Sequence, residues 1–309
     1  MKLVTLLIIL FSYNITQAQD TLSTENRLLQ KDTSINSSSH ASSIQSGSVK
    51  SESMQANKVN TNQPGSPYTT SLLKDGLIIS GAMGVNLLGY HLISNKKDLT
   101  PEQLAAKTKD KLLFFDRWNA GDYSDQANKD SYILFDASYG LPALVTLIDP
   151  GQRKYFGKLM SLYVETITIT GAMYTFTAGL VYRSRPYVYG DKAPLDLRLS
   201  SRSQRSFYGG HVATTAASTF FIAKVFSDFH PSSTLKPYLW GGATALTALM
   251  GYWRFRSGYH FISDELVSFA FEAATGTLIP EWHKRNIMKK VTVTPAFLNQ
   301  KGLDIVYHL

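Results

Sequence analysis

The chain has 309 residues, a formal net charge of +8 at neutral pH and no cysteine. That length suits one sizeable domain with extensions, and the missing thiols exclude disulfides, thiolate catalysis and cysteine-ligated metal. The basic balance fits an anionic membrane surface or an anionic substrate; no nucleic-acid motif accompanies it, so nucleic acid is set aside as a partner.

Residues 1–19 carry one lysine, a short apolar run and small residues near Ala18. This pattern predicts a secretory signal peptide, since the run is short for a membrane span. Residues 20–70 are rich in Ser, Thr and Asn with few large apolar side chains. Such a stretch cannot offset its ordering entropy and is expected to be a disordered tether. A helical domain is predicted over 71–289. It opens with the apolar stretch 76–93, whose Gly and Ala are spaced for close helix packing. Residues 94–130 are polar; Thr100-Pro101-Glu102 marks a helix start, and Asp116-Arg117-Trp118 reads as a structural cluster at the edge of the bundle.

Five more apolar segments follow, at about 131–148, 159–181, 212–226, 238–252 and 264–279. Their length and periodicity predict helices. Asp136 and Glu165 lie inside them and are expected to be paired, lumen-facing or wet. Residues 290–309 change period: V-T-V-T and L-D-I-V-Y alternate around Asn299 to Gly302, which predicts a small C-terminal β-hairpin without chemistry of its own. The fold class expected is all-α, a six-helix bundle with that hairpin appended.

The chemistry concentrates in Arg254 to Asp264, R-F-R-S-G-Y-H-F-I-S-D. His260 and Asp264 are four apart and would share a face of a helix. The carboxylate would then hold one ring nitrogen and leave the other free as nucleophile or base. Arg254 adds a planar cation suited to phosphate. Two earlier blocks fit the same chemistry: Arg185-Pro186 in Y-R-S-R-P-Y, and Gly210-His211 in S-F-Y-G-G-H. They fall at the end of the third segment, the start of the fourth and the junction of the fifth and sixth, so alternating helices would bring them to one end of the bundle. With no zinc-ligand motif and no local acidic cluster, neither metal nor cofactor is expected. Arg183, Arg202, Arg205 and Arg256 read as solvated or headgroup-facing charge.

In this order the blocks resemble the type 2 phosphatidic acid phosphatase and vanadium haloperoxidase superfamily, over roughly residues 76–282. The pattern there is Lys, six spacers, Arg-Pro; then Pro-Ser-Gly-His; then Ser-Arg, five spacers, His, three spacers, Asp. Arg185, Gly210, His211, Arg254, His260 and Asp264 match. Ala178 stands at the Lys position, Tyr208-Gly209 at Pro-Ser, and Trp253 at the Ser before Arg254. The resemblance implies His260 as nucleophile, Asp264 as its orienting partner and His211 as the acid and then base. Arg185, Arg254 and Gly210 would bind phosphate. Arg183 would help if the chain before Pro186 is extended, and Gly209 is a second auxiliary position. Restoring Lys at 178 and Ser at 209 is then expected to raise turnover.

The implied function is a phosphatase of lipid phosphates or isoprenoid pyrophosphates working through phosphohistidine. The alternatives are an exported acid phosphatase of small phosphoesters and a non-catalytic member acting as a binding module. The protein is expected to be exported and membrane-associated, with the site on the envelope or periplasmic side. The fourth and fifth segments, each about 15 residues, are short of the roughly 20 a span requires.

Overall fold

The computed structural model describes residues 65–284, with the backbone of Val291–Ala296 and Gly302–Tyr307. The expected signal peptide and the expected tether as far as residue 64 lie outside the described residues. Six long helices form the body: α1 Leu72–Ser94, α2 Asp125–Ile148, α3 Phe156–Leu180, α4 Gly210–Phe229, α5 Lys236–Arg256 and α6 Ile262–Trp282. Short helices fill the connections, among them Pro101–Ala105. Thr100 caps it reciprocally with Gln103, as the sequence there requires. The six long helices fall on the six predicted segments. Within 65–284 the described residues form no strand beyond two isolated bridges. Val291–Ala296 (β1) and Gly302–Tyr307 (β2) run antiparallel, with Val291 opposite Tyr307. The connecting turn lies outside the described residues.

Helix α4 is the axis, packed by α2, α3, α5 and α6. Its residues Gly210 to Val225 are all buried, and small Ala, Ser and Thr side chains let the neighbours approach. Helix α1 stands outside and packs on α3. The expected seam of small residues narrows here to one contact. A side chain on Gly89 would collide with the backbone of Thr175 and Phe176, whereas Gly76, Gly81 and Gly84 meet nothing.

Packed structure begins inside the stretch expected to be a tether. Tyr68 is fully buried in a cluster with Leu159, Leu162, Tyr163 and Phe221, and its hydroxyl donates to Asp228 Oδ2 at 2.7 Å. A large aromatic with one polar tip finds both an apolar body and a hydrogen-bond partner at this site. Glu165 is paired, as expected of a buried acid: its Oε2 lies 3.2 Å from His283 Nε2. His283 follows α6 by one residue, while Asp264 opens that helix. At 1.5 Å per residue the pair is about 28 Å from the motif end.

The outward faces of several long helices carry large apolar side chains. Helices α1 and α2 are long and apolar enough to cross a membrane. Their large side chains face outward: Leu72 is 97% exposed, Ile133 75% and Ile148 68%. Leu249 on α5 and Leu266, Phe271 and Leu278 on α6 are also exposed.

Candidate active site

The three blocks meet where the sequence placed them. After α3 the chain runs extended through Arg183 and Arg185, beside residues 203–206. Arg185 N donates to Ser203 O at 2.7 Å, and Ser206 N to Arg183 O at 3.0 Å. This ladder fixes the Arg185 block against the segment leading into α4. The third block is a tight loop between α5 and α6. Gly258 takes φ +75, and a Cβ there would strike the Asp122 carbonyl, so only glycine fits. Asn119 Nδ2 donates to Phe255 O at 3.1 Å and to His260 O at 2.9 Å, pinning the loop from the other side.

Arg185 and Arg254 are buried, 8% and 2% exposed. Their guanidinium carbons each lie 4.6 Å from the centroid of the Tyr259 ring. Arg254 also donates to Asn128 Oδ1 at 2.7 Å and Ser131 Oγ at 3.1 Å, both on α2. Neither arginine has an ion pair among the described residues, and the Nε of each is buried without a hydrogen-bond partner. Two desolvated, unneutralised guanidinium groups against one aromatic ring form a place for an anion.

Both imidazoles sit in this field. His260 Nδ1 is 2.6 Å from Ser206 O. A carbonyl only accepts, so Nδ1 carries the hydrogen and Nε2 of the neutral ring holds the lone pair. Burial lowers the His260 pKa well below its ordinary value; Arg254 and Arg185 lower it further. His211 stacks on Phe135 at 4.3 Å and meets Tyr132 edge-on at 4.8 Å. Its Nε2 is buried without a partner. Its pKa is lowered by burial first, then by Arg254, His260 and Arg185.

The expected His260–Asp264 hydrogen bond is corrected. His260 precedes Phe261, the N-cap of α6, so the four-residue spacing does not lie on a helix. Asp264 turns back into the cap: Oδ2 accepts from Phe261 N at 2.9 Å and from Ser206 Oγ at 2.6 Å. Its Oδ1 is held by Arg183. Asp264 therefore reaches His260 only through Ser206 and is a positioning residue. Burial raises its pKa to about 6, against the pull of Arg183.

Arg183 is likewise corrected. Its other arm donates to Asp116 Oδ2 at 2.6 Å, so it clamps two carboxylates and is not a spare phosphate donor. Asp116 also receives Ser263 N at 3.1 Å and Ser263 Oγ at 2.7 Å. Of the cluster expected at the bundle's edge, Arg117 and Trp118 are exposed, while Asp116 is fully buried and braces the site. Gly209 gives its amide to Ser268 Oγ at 2.7 Å, while Gly210 begins α4 without a side-chain cap. Arg205, expected to face solvent or headgroups, is 6% exposed, and burial lowers its pKa, with the nearby Arg185 lowering it further. Lys96 is drawn in as well. Its Nζ donates to Val181 O at 2.7 Å, and burial with Arg205 and Arg185 nearby lowers its pKa to about 8. Ala178 is fully buried among Ile93, Tyr174, Tyr208 and Ala213, so a lysine there would be driven into an apolar cluster.

Residues 159–288 match the PAP2 superfamily, a stretch that contains all three blocks. Among solved structures, the chain is similar to a transmembrane PAP2-type phosphatidylglycerolphosphate phosphatase from Bacillus subtilis. That likeness has 19% identity, covers 65% of this chain and 94% of that one, and has a TM-score of 0.39. No curated protein matches.

Proposed function

From a segment carrying the PAP2-superfamily pattern and a site with two unneutralised arginines, we propose that the protein is a lipid phosphate phosphatase working through phosphohistidine. The observation that carries this reading is the pair Arg185 and Arg254 against the Tyr259 ring, close enough to act on both imidazoles, with His211 Nε2 buried without a partner and His260 Nε2 left with the lone pair. The arginines and the first amides of α4 hold the non-bridging oxygens, where charge builds in the transition state. His260 Nε2 attacks phosphorus in line with the leaving oxygen; the P–N bond forms as the P–O bond breaks. His211 gives that oxygen a proton, then takes one from the water that cleaves the P–N bond. The arriving phosphate anion offsets the arginines that depress the His211 pKa and so favours the proton His211 must carry. In this reading the arginines, rather than a metal, hold the phosphate charge.

The lipid part of the proposal rests on the exposed apolar side chains of α1, α2, α5 and α6 and on a groove of about 580 Å³ between α5 and α6. Trp118, Ala248, Tyr252, Phe255, Leu266 and Phe269 are among its walls. A hydrocarbon chain lying there buries apolar surface next to the loop that carries His260.

The test is phosphate release by the detergent-solubilised protein from phosphatidic acid, an isoprenyl pyrophosphate and p-nitrophenyl phosphate. Lipid substrates are expected to turn over faster, with no change on chelation and with inhibition by vanadate, which mimics five-coordinate phosphorus. Equal turnover of the soluble ester would favour the small-phosphoester reading. Loss of activity on chelation, with recovery on adding a divalent ion, would count against the mechanism.

A further inference from the structure

Glu265 follows Asp264 on α6 and is absent from the mechanism above. It is 7% exposed, and both carboxyl oxygens are buried without a hydrogen-bond partner. No ion pair reaches it among the described residues; Arg254 and Asp264 are the charged groups close enough to act on it. Its position is defined by Gly209, the residue just before α4. A Cβ built on Gly209 would lie 2.6 Å from Glu265 Oε2 and 3.1 Å from Oε1. The Glu265 carboxyl therefore occupies the space into which any side chain at 209 would project. That space adjoins the first turn of α4, where Gly209 offers no side-chain cap. Gly209 stands two residues before His211, and Glu265 lies within the field of Arg254.

A buried, ionised carboxylate without a hydrogen bond is costly, and beside a phosphate site it would repel the substrate. The neutral acid does neither, and it offers an O–H where the arginines gather oxygen. Burial favours that form, opposed by Arg254. We propose that Glu265 is a further member of the phosphate site, donating its carboxyl hydrogen to a phosphoryl oxygen from the place that Gly209 leaves open. This rests on the phosphatase reading for its substrate but not for its geometry. It also corrects the expectation for residue 209: serine added alone would collide with Glu265 and bring no gain.

The test compares the parent with Glu265→Gln, Glu265→Ala, and Glu265→Ala combined with Gly209→Ser. Turnover of phosphatidic acid is read beside vanadate affinity by calorimetry, which does not depend on turnover. Glutamine keeps an N–H donor and the side-chain volume, so that variant is expected within about threefold of the parent. Alanine should lower kcat/KM by about 10²-fold, the usual loss for one such donor, and weaken vanadate binding. Serine at 209 in the alanine background has room for its hydroxyl and should recover at least about tenfold. Parental vanadate affinity in Glu265→Ala, glutamine as poor as alanine, or no recovery in the double variant would overturn the proposal. If vanadate binding follows the expected order while no substrate is hydrolysed, the phosphatase reading falls and the Glu265 assignment stands. A parent that binds no vanadate would overturn both.

Discussion

Replacing His260 with alanine should remove phosphate release almost completely while leaving substrate affinity nearly unchanged. A nucleophile that works as a unit with its acid is worth on the order of 10⁶ in kcat when removed. Binding survives because Arg185 and Arg254 hold their places without His260. One is fixed by the 203–206 ladder, the other by Asn128 and Ser131, and both by Tyr259. The readout is single-turnover kinetics with phosphatidic acid, together with affinity for inorganic phosphate, which the arginines hold without a bond to His260. Unchanged phosphate affinity shows that the pocket remains folded. Parental turnover in this variant would rule out His260 as the attacking group.

Arg183→Ala should be the most destabilising single change near the site. Arg183 bridges the carboxylates of Asp116 and Asp264, whose side chains are fully buried, while its own side chain is 22% exposed. Removing one partner from a buried ion pair costs about 3–5 kcal/mol, because the abandoned charge stays desolvated. The deficit should depend on pH. Asp264 has a folded pKa near 6, above the ordinary carboxylate value, so its folded form is favoured most at low pH and loses that advantage as pH rises through 6. Without Arg183 the ionised form loses its main support, and the gap between variant and parent should be larger at pH 8 than at pH 5. Denaturation midpoints in detergent at the two pH values measure this. An equal gap at both would show that Asp264 does not carry the effect.

Much of the fold was legible because its signals are local. Apolar runs with Gly, Ala, Ser and Thr marked all six long helices, and Thr100-Pro101 marked a capped short one. The three motif blocks were found because each has a fixed spacing, and helix alternation predicted that they would meet. The failures share one cause: a contact set by where a helix begins, or by a partner far along the chain. His260 and Asp264 have helical spacing, but α6 starts after His260, so the carboxylate caps the helix and Ser206 takes the histidine. Arg183 looked like a spare cation because its partners, Asp116 and Asp264, lie 67 and 81 residues away. Asp116, Lys96, Tyr259 and Ser206 carry no pattern of their own. Tyr259 does stand directly before the motif histidine, which was the one available hint. Glu265 carries no motif either, since an acid in the first turn of a helix is ordinary. Gly209 looked like a missing donor; its meaning appears only when the Glu265 carboxyl is seen in the space it leaves.

The central claim is that His260 becomes covalently phosphorylated, and trapping tests it most directly. The protein is mixed with phosphatidic acid carrying ³²P and quenched within the first turnover in alkaline denaturant, since phosphohistidine is acid-labile. The label is then mapped by peptide mass spectrometry. The expected result is stoichiometric, acid-labile label on His260 in the parent and none in His260→Ala. Label on another residue, or phosphate released at full rate with no covalent label at any time, would contradict the account.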